Sequence, residues 1–333
     1  MQSRLHIIAL ATLALLIAAS PTFSQGEFIA SYATSHLFAL PTATTTRLFG
    51  MGGFVTCIKD VGFGNPAYAA TVTSHQSVAR YSATDFDGGL KMKGMQVSYA
   101  QPLRPGHSGW QVTYFDLDSD QGWVSAGGAT ALATYEEQDL AVHYGQRVGE
   151  RWVLGLGLSP LFDTEANYFV PGPMLSERLK SDVDFGFRLG GLYEVDELSQ
   201  VGFVYDTYDE DVSWSGTMLS AGSAGFDSEE MAIGISRQVS EQVLAAIEWQ
   251  QLTTEGVGVK MGDSGFRFGA EMALNETWTA RAGWNDGALS LGAGWVGDGW
   301  SAQYAFIDDW NDDMVGASLG GSDTHQLEVR RQW

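Results

Sequence analysis

From residue 277 to the C-terminus the chain alternates side chains with a period of two through four successive stretches. Residues 277–284 read Thr/Trp/Thr/Ala/Arg/Ala/Gly/Trp, and Asn285-Asp286-Gly287 follows as a turn. Leu289, Leu291, Ala293 and Trp295 then alternate with Ser290, Gly292 and Gly294, up to the turn Gly297-Asp298-Gly299. Trp300, Ala302, Tyr304 and Phe306 alternate with Ser301, Gln303 and Ala305, and a strand-like 325–332 runs into Trp333. A period of two puts one set of side chains on each face of a sheet. The apolar face carries Trp and Tyr at its ends, where a membrane–water interface would lie. A soluble sandwich also alternates, but it has no reason to place Trp so regularly at strand ends. A sheet with one face in lipid must close on itself, because hydrocarbon cannot satisfy an open edge.

The beginning of the chain agrees with export. Arg4 supplies a basic region, 7–19 is an apolar run too short to span a bilayer, and 20–24 is small and polar. The reading is a secretory signal peptide over 1–24, cut near Ser24 with Thr22 at −3. No later stretch approaches ~18 consecutive apolar residues, so no helical span is expected. The single cysteine, Cys57, forbids an intramolecular disulfide and is read as a small buried filler. Forty acidic residues against 18 basic argue against nucleic acid or an anionic surface as partner. The 41 glycines are expected where strands curve and join through short turns.

Fourteen candidate strands follow: 76–84, 92–101, 110–115, 135–148, 152–162, 183–193, 201–205, 231–239, 243–251, 266–274, 277–284, 289–296, 300–307 and 325–333. Loop lengths support the count, since bacterial barrels alternate short periplasmic turns with longer external loops. The connections 102–109, 149–151, 194–200, 240–242, 275–276 and 297–299 are short. The connections 116–134, 163–182, 206–230, 252–265 and 308–324 are long and are expected outside. The fold class is therefore all-β, a 14-stranded antiparallel transmembrane β-barrel in the outer membrane, with both ends periplasmic and lipid as a partner. Phe185, Phe187, Leu189 and Tyr193 share a face assigned to lipid, as do Phe266, Phe268, Ala270 and Met272, or Met231, Ile233 and Ile235, or Val243, Ala245, Ile247 and Trp249. The opposite face carries Asp184, Arg188, Glu248, Arg267, Glu271 and Arg281, expected to line the lumen as bracing ion pairs or as a polar pathway.

Residues 25–75 do not read as wall, and the barrel is assigned to 76–333. Gly50, Gly52 and Gly53 are too close together for a plain strand, and Asn65-Pro66-Ala67 opens a turn. Irregular backbone at membrane depth must be enclosed by protein, so this segment is expected inside the barrel as a hatch or plug. Arg47-x-x-Gly50-Met51-Gly52-Gly53, an Asp at position 60 and Asn65-Pro66-Ala67 together resemble the N-terminal signature of the FadL-like outer-membrane proteins. That group includes long-chain fatty-acid and hydrocarbon transporters and the PorV/PorQ-like proteins of type IX secretion. The tail Gly321-Ser322-Asp323-Thr324-His325 is similar to that of the PorV-like branch. The resemblance implies a hatch-plugged barrel of fourteen strands. In the transporter branch it implies passage of a hydrophobic small-molecule ligand that enters externally and leaves sideways or past the hatch. In the other branch it implies secretion-system proteins as partners. Phe54, Tyr68 and Arg331 depart from the family pattern.

Other chemistry is sparse. Asp116, Asp118 and Asp120 resemble the start of a calcium loop, but the glycine comes one residue late and Gly127 takes the bidentate position, which favours a solvated loop. Asp206, Asp209, Glu210 and Asp211, and Asp308, Asp309, Asp312 and Asp313, form further acidic clusters expected in outer loops. The histidines lack metal-ligand spacing, and Asp139 and His143 share a strand face about 13 Å apart along the strand. Neither an enzyme nor a cofactor is expected. Pro160 deletes a ladder bond and marks a bulge or a gap in the wall.

Overall fold

Alternating apolar and polar residues commit most of the chain to one antiparallel sheet. A computed structural model describes residues 45–62, 64–126, 129–171, 174–217, 221–256, 258–285, 287–308 and 321–333. The signal-peptide reading, the first part of the 25–75 segment and most of the 308–324 loop, including Asp309, Asp312 and Asp313, lie outside the described residues. The strands are β1 (Gln76–Phe86), β2 (Lys91–Arg104), β3 (Ser108–Ser119), β4 (Gly122–Ala126), β5 (Ala129–Val148), β6 (Trp152–Val170), β7 (Leu175–Glu194) and β8 (Ser199–Gly216). They continue as β9 (Gly222–Gln238), β10 (Val243–Gly256), β11 (Val259–Ala273), β12 (Trp278–Asn285), β13 (Ala288–Gly297), β14 (Trp300–Asp308) and β15 (Ser322–Gln332).

All fifteen belong to one sheet. β4 pairs only with the outer end of β5, whereas β3 pairs with β5 directly along its length. Setting β4 aside leaves fourteen strands in a closed ring, sealed where β1 pairs with β15 from Gln76↔Gln332 to Phe86↔Ser322. Closure removes the free edges that lipid would leave unsatisfied.

The long outer loops are corrected by the structure. Most of 163–182 is strand, because β6 runs to Val170 and β7 begins at Leu175; likewise β8 and β9 extend through most of 206–230. Beyond the bilayer the outward face is wet and carries charges such as Asp209 and Asp211, while the inward face mixes buried carboxylates with apolar residues, so the apolar–polar alternation fades although backbone pairing continues. Asp116 and Asp118 accordingly sit on β3 rather than in a loop, on its outward face with Tyr114, and Asp120 pairs with Lys93 at 3.0 Å. Asp206 and Glu210 are buried on the inner face of β8, while Asp209 and Asp211 point out. The acidic runs there are split across a wall instead of gathered in a loop.

The outer surface of the cylinder is apolar, with Met231, Ile233, Ile235, Phe266, Phe268 and Met272 all exposed. Aromatic residues ring the periplasmic rim. Trp152 packs on Tyr193 at 4.7 Å between centroids, and Tyr99 contacts Trp110 and Trp333. Arg331 lies outside at this rim, its guanidinium 4.9 Å from the Trp300 ring and bonded to the Asp298 carbonyl. The long side chain thus keeps its charge at the interface while its stem covers apolar surface. At Pro160 the β6–β7 ladder jumps from Ser159↔Gly186 to Asp163↔Asp182, and the β5–β6 register shifts at Leu140/Val142. The proline forms a bulge and interrupts the pairing on one side of its strand.

Candidate functional site

The bore of such a cylinder changes its contents with depth. In the periplasmic half lies the chain leading into β1, residues 45–75. One helical turn, Thr46–Phe49, is capped by the Thr45 hydroxyl, and a 3-10 turn, Pro66–Thr71, is capped by Asn65. Asn65 Oδ1 accepts from Ala67 N at 3.0 Å, while its Nδ2 donates to the Gly191 and Phe203 carbonyls of the wall at 3.0 and 3.1 Å. One side chain therefore both shapes the turn and ties it to β7 and β8.

Charged residues of the wall hold the rest. Glu248 accepts from Val55 N, from Thr56 N at 2.8 Å and from Thr56 Oγ1 at 2.5 Å, and it is buried to 1% exposure. Arg267 donates to Glu248 at 3.2 Å and to the Gly53 carbonyl at 2.6 Å. Arg47 makes a two-pronged pair with Glu271 at 2.7 and 2.9 Å, and Arg281 donates to the same carboxylate at 2.6 Å. Arg188 instead pairs with Asp206 and donates to Tyr208 higher in the bore. The side chain of Asp184 lies outside the described residues.

Asp60 entered the family resemblance without an assigned role, and Arg80, Glu328 and Arg330 were not singled out from sequence. Asp60 accepts from Thr45 Oγ1 at 2.7 Å and from Arg330 at 2.5 Å. Burial alone would raise its carboxyl, but Arg330 and Arg47 hold it below the usual aspartate range. Glu328 accepts from Thr46 N and from the buried Arg80. The signal was present: Glu328 and Arg330 alternate with Leu327 and Val329 in the last strand. Cys57 sits fully buried with Leu48, Met51, Phe54 and Ile58, and burial pushes its thiol well up.

Glycines of the wall are the other half of this contact. A Cβ on Gly269 would stand 2.0 Å from the Met51 carbonyl oxygen, and one on Gly283 2.0 Å from the Met51 carbonyl carbon. On Gly202 it would meet Thr56 O at 2.1 Å, on Gly190 Asn65 Oδ1 at 2.1 Å and on Gly155 Ala67 N at 2.1 Å. The fit is reciprocal, since Gly52, at φ +110°, lies so close to the Trp284 carbonyl that a Cβ there would approach it to 3.0 Å. Inward glycines thus make a track into which the backbone of the leading segment is pressed, a use beyond the curvature and turns expected of them.

Above the segment the lining changes. Phe115, Leu117, Tyr135, Leu179, Val212 and Phe226 form an apolar cluster on inward faces of the outer half, with Met92, Tyr168 and Trp214 packed against it. Asp139, His143, Arg188, Asp206 and Glu230 are also buried on inward faces, Asp139 directly opposite Phe115 in the β3–β5 register.

With this architecture in view, comparison with solved structures is decisive for the fold. The chain is similar to the Ralstonia pickettii toluene transporter TbuX, at 13% identity over 89% of this chain and 100% of that one, with a TM-score of 0.60. It is also similar to the Pseudomonas putida toluene transporter TodX, at 12% identity over 87% and 98% of the two chains, with a TM-score of 0.60. A Pseudomonas aeruginosa FadL homologue aligns at 12% identity over 87% and 98%, with a TM-score of 0.56. The fold is that of the FadL-like outer-membrane barrels. No family model and no curated protein sequence matches the chain. At these identities the FadL-like likeness is one of fold, so the use of the bore has to be argued from its own residues.

Proposed function

We propose that the protein is a passive outer-membrane conduit for hydrophobic or amphipathic small molecules, with residues 25–75 acting as a hatch that controls passage. One observation carries this reading: an apolar cluster built around Phe115, Leu179 and Phe226 lines the outer half of the bore, above a separately held segment. These inward side chains, with no lipid to meet, bury one another, and an apolar solute is the occupant that could part them at least cost. The solved barrels of like fold include chains named as toluene transporters. The interrupted β6–β7 pairing beside Pro160 is a place in the wall where a sideways exit would break no ladder bonds. Gly50, Gly52, Gly53 and Asn65-Pro66-Ala67 are assigned to seating the hatch against the wall.

A second reading, a secretion-associated barrel of the PorV/PorQ kind acting through partner proteins, draws on inward-facing ion pairs between neighbouring strands, Arg188–Asp206 and Arg80–Glu328, which brace the wall. Uptake by liposomes containing the purified protein separates the two. Toluene or hexadecane should enter faster than through protein-free liposomes and a sugar of similar size should not. Removal of 50–67 should raise the flux of all of them. Equal flux with and without protein would discard the conduit, and unchanged flux after the deletion would discard the hatch.

A further inference from the structure

The inward faces of β5, β7, β8 and β9 bury Glu137, Asp139, Glu177, Asp206, Glu210 and Glu230, whereas Arg188 is the one buried cation on those strands among the described residues. Strand register threads these carboxylates through the apolar cluster. Glu137 stands directly opposite Leu117, Asp139 opposite Phe115 and Glu210 opposite Phe226. Asp206 and Glu230 face each other across β8 and β9, and like charges so placed cost stability unless a cation lies beside them. Arg188 serves Asp206, while Glu230 and Glu137 have neutral donors, the Gln250 amide at 2.5 Å and the Tyr135 hydroxyl at 2.8 Å. Oδ1 of Asp139 and Oδ1 of Asp206 have no hydrogen-bond partner, in residues only 4% and 1% exposed. Asp139 lies within electrostatic reach of Asp206, and Glu137 of Asp139 and Glu210. Enclosed carboxylates with too few cations are costly, and a bound cation would relieve that cost.

We infer that this acidic stretch of the bore selects a protonated amine carried on an apolar body. The assignment rests on the conduit reading and names its substrate class. Among the described residues no three His, Cys, Asp or Glu side chains converge closely enough to hold a metal ion, and apolar side chains lie between the carboxylates. That spacing suits a molecule with its charge at one end. The body parts Phe115, Leu179 and Phe226, which otherwise bury one another, and the N–H groups reach the unpartnered oxygens of Asp139 and Asp206. The ring faces of Phe115 and Phe226 add attraction for the ammonium. The same carboxylates repel an acid of equal size, so passage is selective by charge.

The test uses the purified full barrel in nonionic detergent at neutral pH, with phenethylamine, phenethyl alcohol, phenylacetate and ammonium chloride as probes. Phenethylamine should bind about tenfold more tightly than the alcohol, the worth of one charge-assisted hydrogen bond. Phenylacetate should bind more weakly than either. Asp139→Asn should remove most of the amine's advantage while heat-modifiability reports an intact barrel. Glu137→Gln, which still accepts from the Tyr135 hydroxyl, should reduce that advantage severalfold by lowering the local charge. Equal binding of amine and alcohol would overturn the inference, as would phenylacetate binding as tightly as the amine. Full amine preference in both variants would overturn the assignment to these carboxylates. Ammonium ion competing as strongly as phenethylamine would overturn the amphipathic assignment. Toluene uptake by wild-type liposomes is read separately: if it occurs and the amine shows no preference, this inference fails and the conduit reading survives.

Discussion

The two halves of the bore are built on opposite chemistry. The periplasmic half is filled by main chain, and its contacts are hydrogen bonds to Glu248, Arg267 and Asn65 plus backbone pressed onto glycine. The outer half is lined by Phe115, Leu179, Val212 and Phe226 side chains that project from the strands themselves. The first arrangement is directional and depends on every donor finding its acceptor, so it can be lost as a unit. The second is non-directional and degrades side chain by side chain. The two halves should therefore respond separately to substitution.

The contrast can be broken most forcefully at a wall glycine. Gly283→Val should displace Met51 and the chain around it, since neither backbone can yield, at a cost above about 3 kcal/mol to the seated segment. Residues 45–75 should become protease-sensitive within an otherwise intact barrel; continued protection would refute the close fit. Glu248→Ala comes next. It strands two backbone donors, the Thr56 hydroxyl and Arg267, for about 3 kcal/mol. The Val55 and Thr56 amides should then exchange roughly a hundredfold faster, and unchanged exchange rates would remove Glu248 from the latch.

In the outer half, Leu179→Ala should cost about 2 kcal/mol through its cavity and alter hydrocarbon uptake. Proteolysis of 45–75 should be unaffected; if both change together, the halves are not independent. Acidification gives a smaller, graded effect. The Asp60 carboxyl is held below its ordinary value in the folded state, so its stabilisation is complete above the ordinary aspartate range. It fades as pH falls through the lower folded value. Segment protection should therefore drop only under strongly acid conditions in the wild type, and Asp60→Asn should flatten that dependence; a parallel curve for the variant would exclude Asp60 as its source. Smallest of all, Arg331→Ala should lower barrel stability by about 0.5 kcal/mol, the worth of an exposed cation–π contact. Any change in permeability would place Arg331 in the route instead of at the rim.

Strand identity was legible from sequence because lipid outside and protein inside impose a strict alternation, and periplasmic turns are short. The outer reaches of β6 to β9 were not, since charges on the wet outward face and buried carboxylates such as Asp206 and Glu210 on the inward face blur the pattern; there the acidic runs at 206–211 read as loop. Glu248, Arg267, Glu271 and Arg281 were marked by standing opposite apolar residues, but nothing local told what they would bond. Asp60 and Arg330 are separated by 270 positions and meet only because β1 closes on β15.

By itself the sequence determined that the chain is a strand-built cylinder with an apolar exterior, because alternation is a local property written residue by residue. Only the tertiary structure decided that inward glycines on separate strands align into one track, and that two arginines converge on Glu271. Register between strands and the path of a segment through the bore fix those encounters, and both are properties of the closed ring rather than of any stretch of chain.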